Sequence, residues 1–181
     1  MHPSLFFHPG ALLSLSELNS ARLDGLLIEV GDGYMPPDLP EDAIARMFSL
    51  APVLIPGYAA CATTAAWVHG AGDPAPLRHH LQRVSARRRR VQVPSGVMLH
   101  ESRLDDDDFT LVAGAAVTTP LRTMIDLALR ADTDEAAAIW LPRLASSEPE
   151  IVPDAIARLE SRPRLPGKRA AMTALKAIEW L

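Results

Sequence analysis

Two short runs, separated by roughly fifty residues, constrain this chain more than any other feature. The first is Cys61–Gly70 (CATTAAWVHG) and the second is Val117–Leu129 (VTTPLRTMIDLAL). Each has a threonine where a helix can begin, followed by small or apolar residues at helical spacing. Neither contains a nucleophile beside a base, a cluster of metal ligands or a glycine-rich phosphate loop. The two runs therefore predict the packed helices of a binding module rather than the walls of an active site.

The first run contains signals for both ends of its helix. Thr63 or Thr64 is expected to begin the helix, Gly70 closes it, and Trp67 is its one large side chain. His69 lies at the helix end. We expect it to be a packed, hydrogen-bonded histidine rather than a ligand.

The second run predicts the strongest helix of the chain. Thr119 is the expected N-cap and Pro120 the first helical residue, where proline loses no hydrogen bond. Arg122 and Asp126 stand four residues apart and therefore share one helix face. We expect them to form a structural ion pair, with a role at an interface as the alternative.

Length and composition limit the folds that this chain can adopt. The 181 residues suffice for a buried core in one domain or two small ones. Hydrophobic residues make up 48 % but aromatic residues only 5 %. Alanine and leucine must therefore fill the interior, which favours close helix packing. Cys61 is the sole cysteine, so an internal disulfide is impossible; a reducing compartment and a packing role for Cys61 are expected.

The N-terminal sequence does not have the pattern of a secretion signal. Its apolar stretch has no basic residues before it and is interrupted by Pro9 and Gly10. No apolar run in the sequence reaches the length of a membrane-spanning helix. We therefore expect a soluble cytoplasmic protein without a membrane partner.

Charge is distributed unevenly along the chain. Before residue 61 the basic side chains are Arg22 and Arg46, against seven acidic ones. Residues 74–100 contain no acid and six arginines: Arg78, Arg83, Arg87, Arg88, Arg89 and Arg90. Four aspartates, Asp105–Asp108, follow. The formal net charge of −4 argues against a protein that coats nucleic acid over its whole surface.

Two interpretations of the arginine-rich segment (residues 78–90) stay open. Its guanidinium groups can contact phosphates or an acidic face of a partner protein. Alternatively, the Arg87–Arg90 run is a solvated turn between two strands, balanced by Asp105–Asp108 across the sheet. No aromatic residue interrupts the run, so a platform that stacks single-stranded bases is not indicated.

Hydrophobic periodicity predicts an α/β (α+β) fold. Ser14 or Ser16 caps a first helix, residues 26–35 form a hairpin, and Glu41–Leu50 is a second helix. The predicted strands are Leu77–Ser85, Val91–Val93, Val97–His100, Phe109–Val112 and Ala115–Val117. Further helices are predicted at Thr133–Leu144, Asp154–Leu159 and Lys168–Leu181. A small mixed or antiparallel sheet packed by helices, with a helical C-terminus, accounts for this order.

This series of parts resembles a known family. The opening SELNSARLDGLLIEVGDGYMPPD, the AAWVHG motif and the VTTPLRTMIDLA motif are similar to the actinobacterial branch of the AbiEi family. That family comprises antitoxins of type IV toxin–antitoxin systems, which act in abortive infection. The resemblance covers roughly residues 11–145.

The resemblance implies an architecture and two partners. Residues 1–58 would form a degenerate winged-helix-like region, and residues 59–181 an AbiEi-like α/β domain with a helical C-terminal part. The chain would neutralise a nucleotidyltransferase-like toxin encoded beside it. It would also regulate its own transcription by binding double-stranded operator DNA.

The N-terminal region departs from what a DNA-binding winged helix needs. Such a domain places basic or amide side chains on its recognition helix and wing, because phosphate contacts supply most of the affinity. Arg22 is the only basic residue of the candidate recognition segment Asn19–Gly25, and Glu29 and Asp32 make the wing acidic. DNA binding has therefore been lost there, or has moved to the arginine-rich segment.

The sequence predicts neither a metal site nor a catalytic site. His79, His80 and His100 with Asp105–Asp108 would form a hydrolytic metal site only if brought together, and their spacing fits no zinc pattern. We expect a protein without cofactor and without enzymatic activity. Two alternatives to the antitoxin remain: a stand-alone winged-helix-type transcriptional regulator, or the front half of a nuclease-type protein that lacks its catalytic domain. The sequence does not specify the oligomeric state.

Overall fold

The computed structural model describes residues 5–86, 90–162 and 165–179. These residues form seven α-helices and two β-sheets, which is the predicted mixed α+β fold. Arg87, Arg88 and Arg89 lie outside the described residues. Among the described helices, none combines the length and the apolar composition that crossing a bilayer requires.

The N-terminal part places two helices around a short hairpin. Its elements are helix α1 (Leu15–Leu23), strands β1 (Ile28–Val30) and β2 (Gly33–Met35), and helix α2 (Ala43–Ser49). Ser14 caps α1: the Glu17 N–H donates to the Ser14 hydroxyl (3.3 Å), and the Ser14 N–H donates to the Glu17 carboxylate (2.8 Å). The predicted helix, hairpin and second helix are therefore confirmed.

The main sheet is mixed, which is one of the two arrangements that the sequence left open. Its strands are β3 (Tyr58–Ala60), β4 (His79–Arg83), β5 (Val97–His100), β6 (Phe109–Val112) and β7 (Ala115–Thr118). They lie in the order β5-β4-β3-β7-β6. The β3–β4 and β6–β7 pairs are antiparallel, whereas the β3–β7 and β4–β5 pairs are parallel.

The sequence pattern fails at two places in this sheet. Val91–Val93 form no strand; Val93 is 46 % exposed and leads into a turn in which the Val97 N–H donates to the Pro94 carbonyl (3.3 Å). The central strand β3 is not predicted, because it consists mostly of alanine, which has a low strand propensity. All three of its residues are buried, so packing on both faces determines its conformation.

Five helices complete the fold. They are α3 (Ala62–Val68), α4 (Pro120–Ala128), α5 (Glu135–Ser147), α6 (Ile151–Glu160) and α7 (Lys168–Glu179). The Thr119 hydroxyl accepts the Arg122 N–H (3.2 Å) and Pro120 is the first residue of α4, so the predicted start is confirmed. Helix α6 begins at Ile151 rather than Asp154, since a helix tolerates Pro153 in its first turn.

Helices α3 and α4 lie at the centre of the core. Helix α4 contacts α3, α5, α6 and α7. Trp67 of α3 and Met124 and Leu127 of α4 are fully buried. Ala65 and Ala66 are also fully buried, and their small side chains let neighbouring backbones approach closely, as the composition predicted.

The N-terminal hairpin packs against the same core. Val30 and Met35 belong to the hydrophobic cluster that contains Trp67. At the hairpin turn, Gly31 has φ +55°, and a Cβ there would lie 2.8 Å from the Trp67 ring and 2.6 Å from the Ser49 hydroxyl. Glycine alone fits both the backbone conformation and the space. The turn therefore holds the acidic hairpin against helix α3.

Candidate partner-binding surface and its buried support

A buried ion network joins the turn before β6 to helices α4 and α6. Asp108 ends a 3₁₀ turn (Asp106–Asp108) and is only 2 % exposed. One of its carboxylate oxygens binds the Arg122 guanidinium, and the other accepts from Arg158 (2.9 Å). Arg122 also donates to Asp126 on the same helix (2.9 Å). The predicted Arg122–Asp126 pair is confirmed, and the sequence analysis missed Asp108 and Arg158.

Two members of the aspartate run have partners outside the arginine-rich segment. Asp106 pairs with exposed Arg103 (3.2 Å), and Asp108 turns into the protein. The Thr119 N–H donates to the Asp108 carbonyl (3.0 Å), which fixes Asp108 beside the start of α4. Asp108 is therefore a buried member of an ion network, and the charge of its carboxylate is used by Arg122 and Arg158.

Burial and charge pairing shift the pKa values of this network in opposite directions. Burial alone would lower the pKa of Arg122, but the Asp126 and Asp108 carboxylates raise it above its ordinary value. Burial raises the pKa of Asp126, against the lowering effect of Arg122 and Arg130. Asp126 Oδ2 has no hydrogen-bond partner among the described residues. Asp108, with both oxygens bound, is thus the centre of the network.

A second cluster joins two histidines and an arginine. The rings of His80 and His100 stack with centroids 5.2 Å apart, and His80 Nδ1 lies 3.1 Å from His100 Nε2. The Arg130 guanidinium lies 3.3 Å from the same nitrogen. A guanidinium can only donate, so His100 Nε2 accepts and carries no proton. Among the described residues, no three His, Cys, Asp or Glu side chains are placed to hold a metal ion.

The protein is expected to lose stability as the pH falls from about 6.5 to about 4. Burial, Arg130 and His80 lower the pKa of His100 from 6.5 to about 4. Because the folded pKa is below the unfolded value, the unfolded state binds the proton first. The contribution of His100 is therefore complete above the unfolded pKa and is lost as the pH falls toward the folded one.

Replacing His100 with glutamine tests this expectation. The slope of the unfolding free energy against pH should decrease in that window, by an amount that corresponds to up to about one bound proton. Urea unfolding followed by circular dichroism across the window measures it. Part of the slope should remain, because burial also lowers the pKa values of His69, His79 and His80. An unchanged slope in the His100→Gln protein would contradict the assignment.

Residues of the AAWVHG motif have structural roles. Trp67 Nε1 donates to the Asp73 carbonyl (3.1 Å), and the buried Arg46 guanidinium lies over the indole at 5.3 Å. Arg46 also donates to the carbonyls of Trp67 (2.6 Å) and Gly72 (2.9 Å). Arg46 therefore links helix α2 to the chain at both ends of the loop that follows α3.

His69 and Gly70 end helix α3 as predicted. His69 Nε2 lies 2.7 Å from the Thr118 carbonyl oxygen. A carbonyl can only accept, so Nε2 carries the hydrogen. Gly70 has φ +86°, the left-handed conformation that terminates many helices. The expected hydrogen-bonded histidine at the helix end is confirmed.

The described arginines of the arginine-rich segment are not equivalent. Arg78 and Arg90 are exposed. Arg83 on β4 donates to the carbonyls of Glu101 (3.1 Å) and Ser85 (2.7 Å) and so fixes the chain that leaves the strand. Arg83 therefore has a structural role, whereas Arg78 and Arg90 present their charge to solvent.

The hairpin side of the molecule is acidic. Exposed Asp32 lies with one carboxylate oxygen 3.5 Å from His79 Nε2, and Glu29 is exposed on β1. A cleft of about 590 Å³ is lined by these residues together with Glu41 and Asp73. Arg22, the candidate DNA contact of α1, is exposed. This concentration of carboxylates repels phosphate groups.

A second groove, which shares Pro74–Leu77 with the acidic cleft, is cationic and apolar. It lies between the chain before β4 and helix α5 and has a volume of about 430 Å³. We call it the Trp140 groove; its main lining residues are Leu77, Arg78, His80, Ile139, Trp140 and Arg143. The Arg143 guanidinium lies over the Trp140 ring at 5.5 Å.

Comparison with known proteins identifies the family. Residues 58–171 match the family described as AbiEi antitoxin C-terminal domain. The match spans well over half of the chain and contains the main sheet, the ion network and the Trp140 groove. A search of curated proteins gave no significant match. Both motifs thus led to the correct family, and the chain belongs to the AbiEi antitoxin C-terminal domain family.

Proposed function

We propose that this chain is a non-catalytic antitoxin that binds and neutralises a nucleotidyltransferase-like toxin. The single observation that carries the proposal is the match of residues 58–171 to the AbiEi antitoxin C-terminal domain. An antitoxin that works by binding needs a complementary surface rather than reactive groups. It must also meet its toxin in the same compartment, for which we propose the cytoplasm.

The charge of the arginine-rich segment supports a toxin of this class. A nucleotidyltransferase handles nucleotide phosphates with divalent metal ions, which carboxylates hold. Guanidinium groups bind such carboxylates through strong, charge-assisted hydrogen bonds. Residues 74–100 contain six arginines and no acid, and Arg78 and Arg90 are exposed. Complementary charge of this kind chiefly raises the encounter rate and the specificity.

Growth rescue tests this function. Cells that express the nucleotidyltransferase encoded beside the gene for this chain should resume growth when the wild-type chain is co-expressed. Replacing Arg87, Arg88, Arg89 and Arg90 with alanine should weaken the complex by about tenfold or more and reduce rescue. Arg22→Ala is the matched control, since Arg22 is exposed on the acidic N-terminal part. A wild-type chain that restores no growth would contradict the proposal.

Duplex DNA is a second candidate partner, and the arginine-rich segment favours it. The acidic hairpin opposes DNA binding through the proposed winged-helix-like region of residues 1–58. Fluorescence anisotropy with DNA from upstream of the gene, at two salt concentrations, tests this role. The quadruple alanine variant should show lower affinity and a shallower salt dependence. A stand-alone regulator would bind this DNA without rescuing growth.

A further inference from the structure

We propose that the outer edge of strand β6 binds a second copy of this chain, whose own β6 adds to it in the antiparallel direction. We call this surface the β6 edge; it is the side of Phe109–Val112 that faces away from β7. The pairing joins the main sheets of two copies into one continuous sheet across a two-fold axis. The inference goes beyond the proposed function and does not depend on it.

Strand β6 ends the main sheet and is uncovered at its outer side. Among the described residues it pairs with β7 alone. Thr110 and Leu111 point to opposite faces of the strand, and both are exposed. Helix α2, which also contacts β6, leaves these two side chains open to solvent. The edge between them is therefore accessible to another strand.

The hairpin formed by β6 and β7 determines which backbone groups face outward. Its two-residue turn, Ala113–Gly114, has φ +52° and +81°, as in a type I′ turn, whose flanking residues form a hydrogen-bonded pair. Such pairs alternate along an antiparallel ladder. The Thr119 N–H, which donates to the Asp108 carbonyl (3.0 Å), follows the same alternation. The backbone N–H and C=O groups of Phe109 and Leu111 therefore point away from β7.

These outward groups are complementary to a second copy of themselves. With Thr110 opposite Thr110 of the second copy, Phe109 lies opposite Leu111 of the second copy, and Leu111 opposite its Phe109. Both pairs then exchange N–H···O=C hydrogen bonds. The Phe–Leu pairs lie on one face of the new sheet and the Thr–Thr pair on the other, and cross-strand pairs of both kinds stabilise sheets.

Charge favours this occupant and this direction. The cavity of about 450 Å³ beside the β6 edge, which Phe109 and Leu111 line, has only uncharged lining residues. A phosphate or a charged peptide finds no counter-charge there. In the antiparallel register the exposed Asp106 and Asp107 come beside the uncharged Ala113–Gly114 turn of the second copy. A parallel pair in register would instead place these aspartates against their own counterparts.

The β6 edge also lacks the features that usually prevent pairing. Exposed edge strands are commonly blocked by lysine, proline or a bulge. Residues 109–116 (FTLVAGAA) contain neither a charged residue nor proline, and the register between β6 and β7 is continuous. Phenylalanine, threonine and valine also favour the strand conformation. The sequence is thus suited to pairing at this edge.

Sedimentation velocity over a range of concentrations of the purified chain tests the surface. The average mass should rise with concentration from that of one chain towards that of two. Leu111→Asp should weaken the dimer by at least about tenfold, because it places a carboxylate in an uncharged interface. Leu26→Asp is the matched control: Leu26 is also 66 % exposed but lies outside β6, so the affinity should stay within about twofold. Both variants should keep the thermal midpoint of the wild type, since both side chains are exposed.

A single cysteine tests the register. The two Thr110 residues form a non-hydrogen-bonded pair across the two-fold axis, with Cα atoms about 4.5 Å apart, which a disulfide can span. Cys61 is the sole natural cysteine and is fully buried. With oxidised glutathione, Thr110→Cys should therefore form a covalent dimer on a non-reducing gel. Leu26→Cys, with an equally accessible thiol, should remain a monomer.

Three results would overturn the inference. The first is a mass that stays that of one chain at every concentration. The second is a dimer that Leu111→Asp leaves unchanged, which would belong to another surface. The third is cross-linking of Thr110→Cys no faster than that of Leu26→Cys. Because growth rescue is measured separately, each of these results leaves the proposed function standing, and loss of rescue by the wild type leaves the dimer standing.

Discussion

Replacing Asp108 with asparagine is expected to lower the free energy of unfolding by about 3–5 kcal/mol. The Asp108 carboxylate is the shared acceptor of Arg122 and Arg158, and its side chain is 3 % exposed. A neutral amide removes the charged acceptor of both guanidinium groups and leaves the largely buried Arg122 with Asp126 as its remaining carboxylate partner among the described residues. Urea unfolding followed by far-UV circular dichroism at neutral pH measures the loss.

Asp106→Asn is the control for this experiment. Asp106 belongs to the same 3₁₀ turn, but its side chain is 84 % exposed, and its pairing with Arg103 is a surface ion pair. Such pairs contribute about 0–1 kcal/mol. If Asp108→Asn were no more destabilising than Asp106→Asn, the buried network would not stabilise the fold as we argue.

Trp67→Ala should also destabilise the protein by about 3–5 kcal/mol. The indole is fully buried, and its N–H donates to the Asp73 carbonyl (3.1 Å). Removing it leaves a cavity under the hairpin turn at Gly31 and takes away the ring on which Arg46 is stacked (5.3 Å). The measurement is the same urea titration.

Trp67→Phe provides the comparison for this residue. Phenylalanine keeps most of the apolar volume but cannot donate to Asp73, so an intermediate loss is expected. The order wild type, Trp67→Phe, Trp67→Ala in stability is the predicted result. Equal stability of Trp67→Ala and the wild type would show that the Trp67 side chain does not stabilise the core as we argue.

Helix ends were predictable because the signals that set them are local. Ser14 with Glu17 begins α1, Thr119 with Pro120 begins α4, and Gly70 ends α3. Each signal depends on residues within one helical turn of the boundary. The sequence therefore predicted these boundaries to within a residue or two.

Contacts between distant parts of the chain were not predictable in this way. Asp108 and Arg158 are 50 residues apart, and nothing in the aspartate run distinguishes Asp108 from its neighbours. Strand β3 is alanine-rich and acquires its conformation from the strands on either side. The Trp140 groove likewise combines Leu77 with Arg143, which the fold brings together from different elements.

The buried network and the core position the elements of this antitoxin-family domain. The ion network and the core around Trp67 hold α3, α4 and α6 in fixed positions. Helix α5, which carries Trp140 and Arg143, packs on α4. Damage to the network should therefore weaken partner binding through loss of folded protein.

Inhibition of the toxin by the purified chain tests the central claim most directly. Nucleotide transfer by the proposed nucleotidyltransferase-like toxin is measured while the chain is added in increasing amounts. We predict that transfer falls in proportion to the added chain and stops at a stoichiometric ratio, with no nucleotide consumed by the chain alone. Undiminished transfer in the presence of a large excess of folded chain, or nucleotide turnover by the chain itself, would contradict the account.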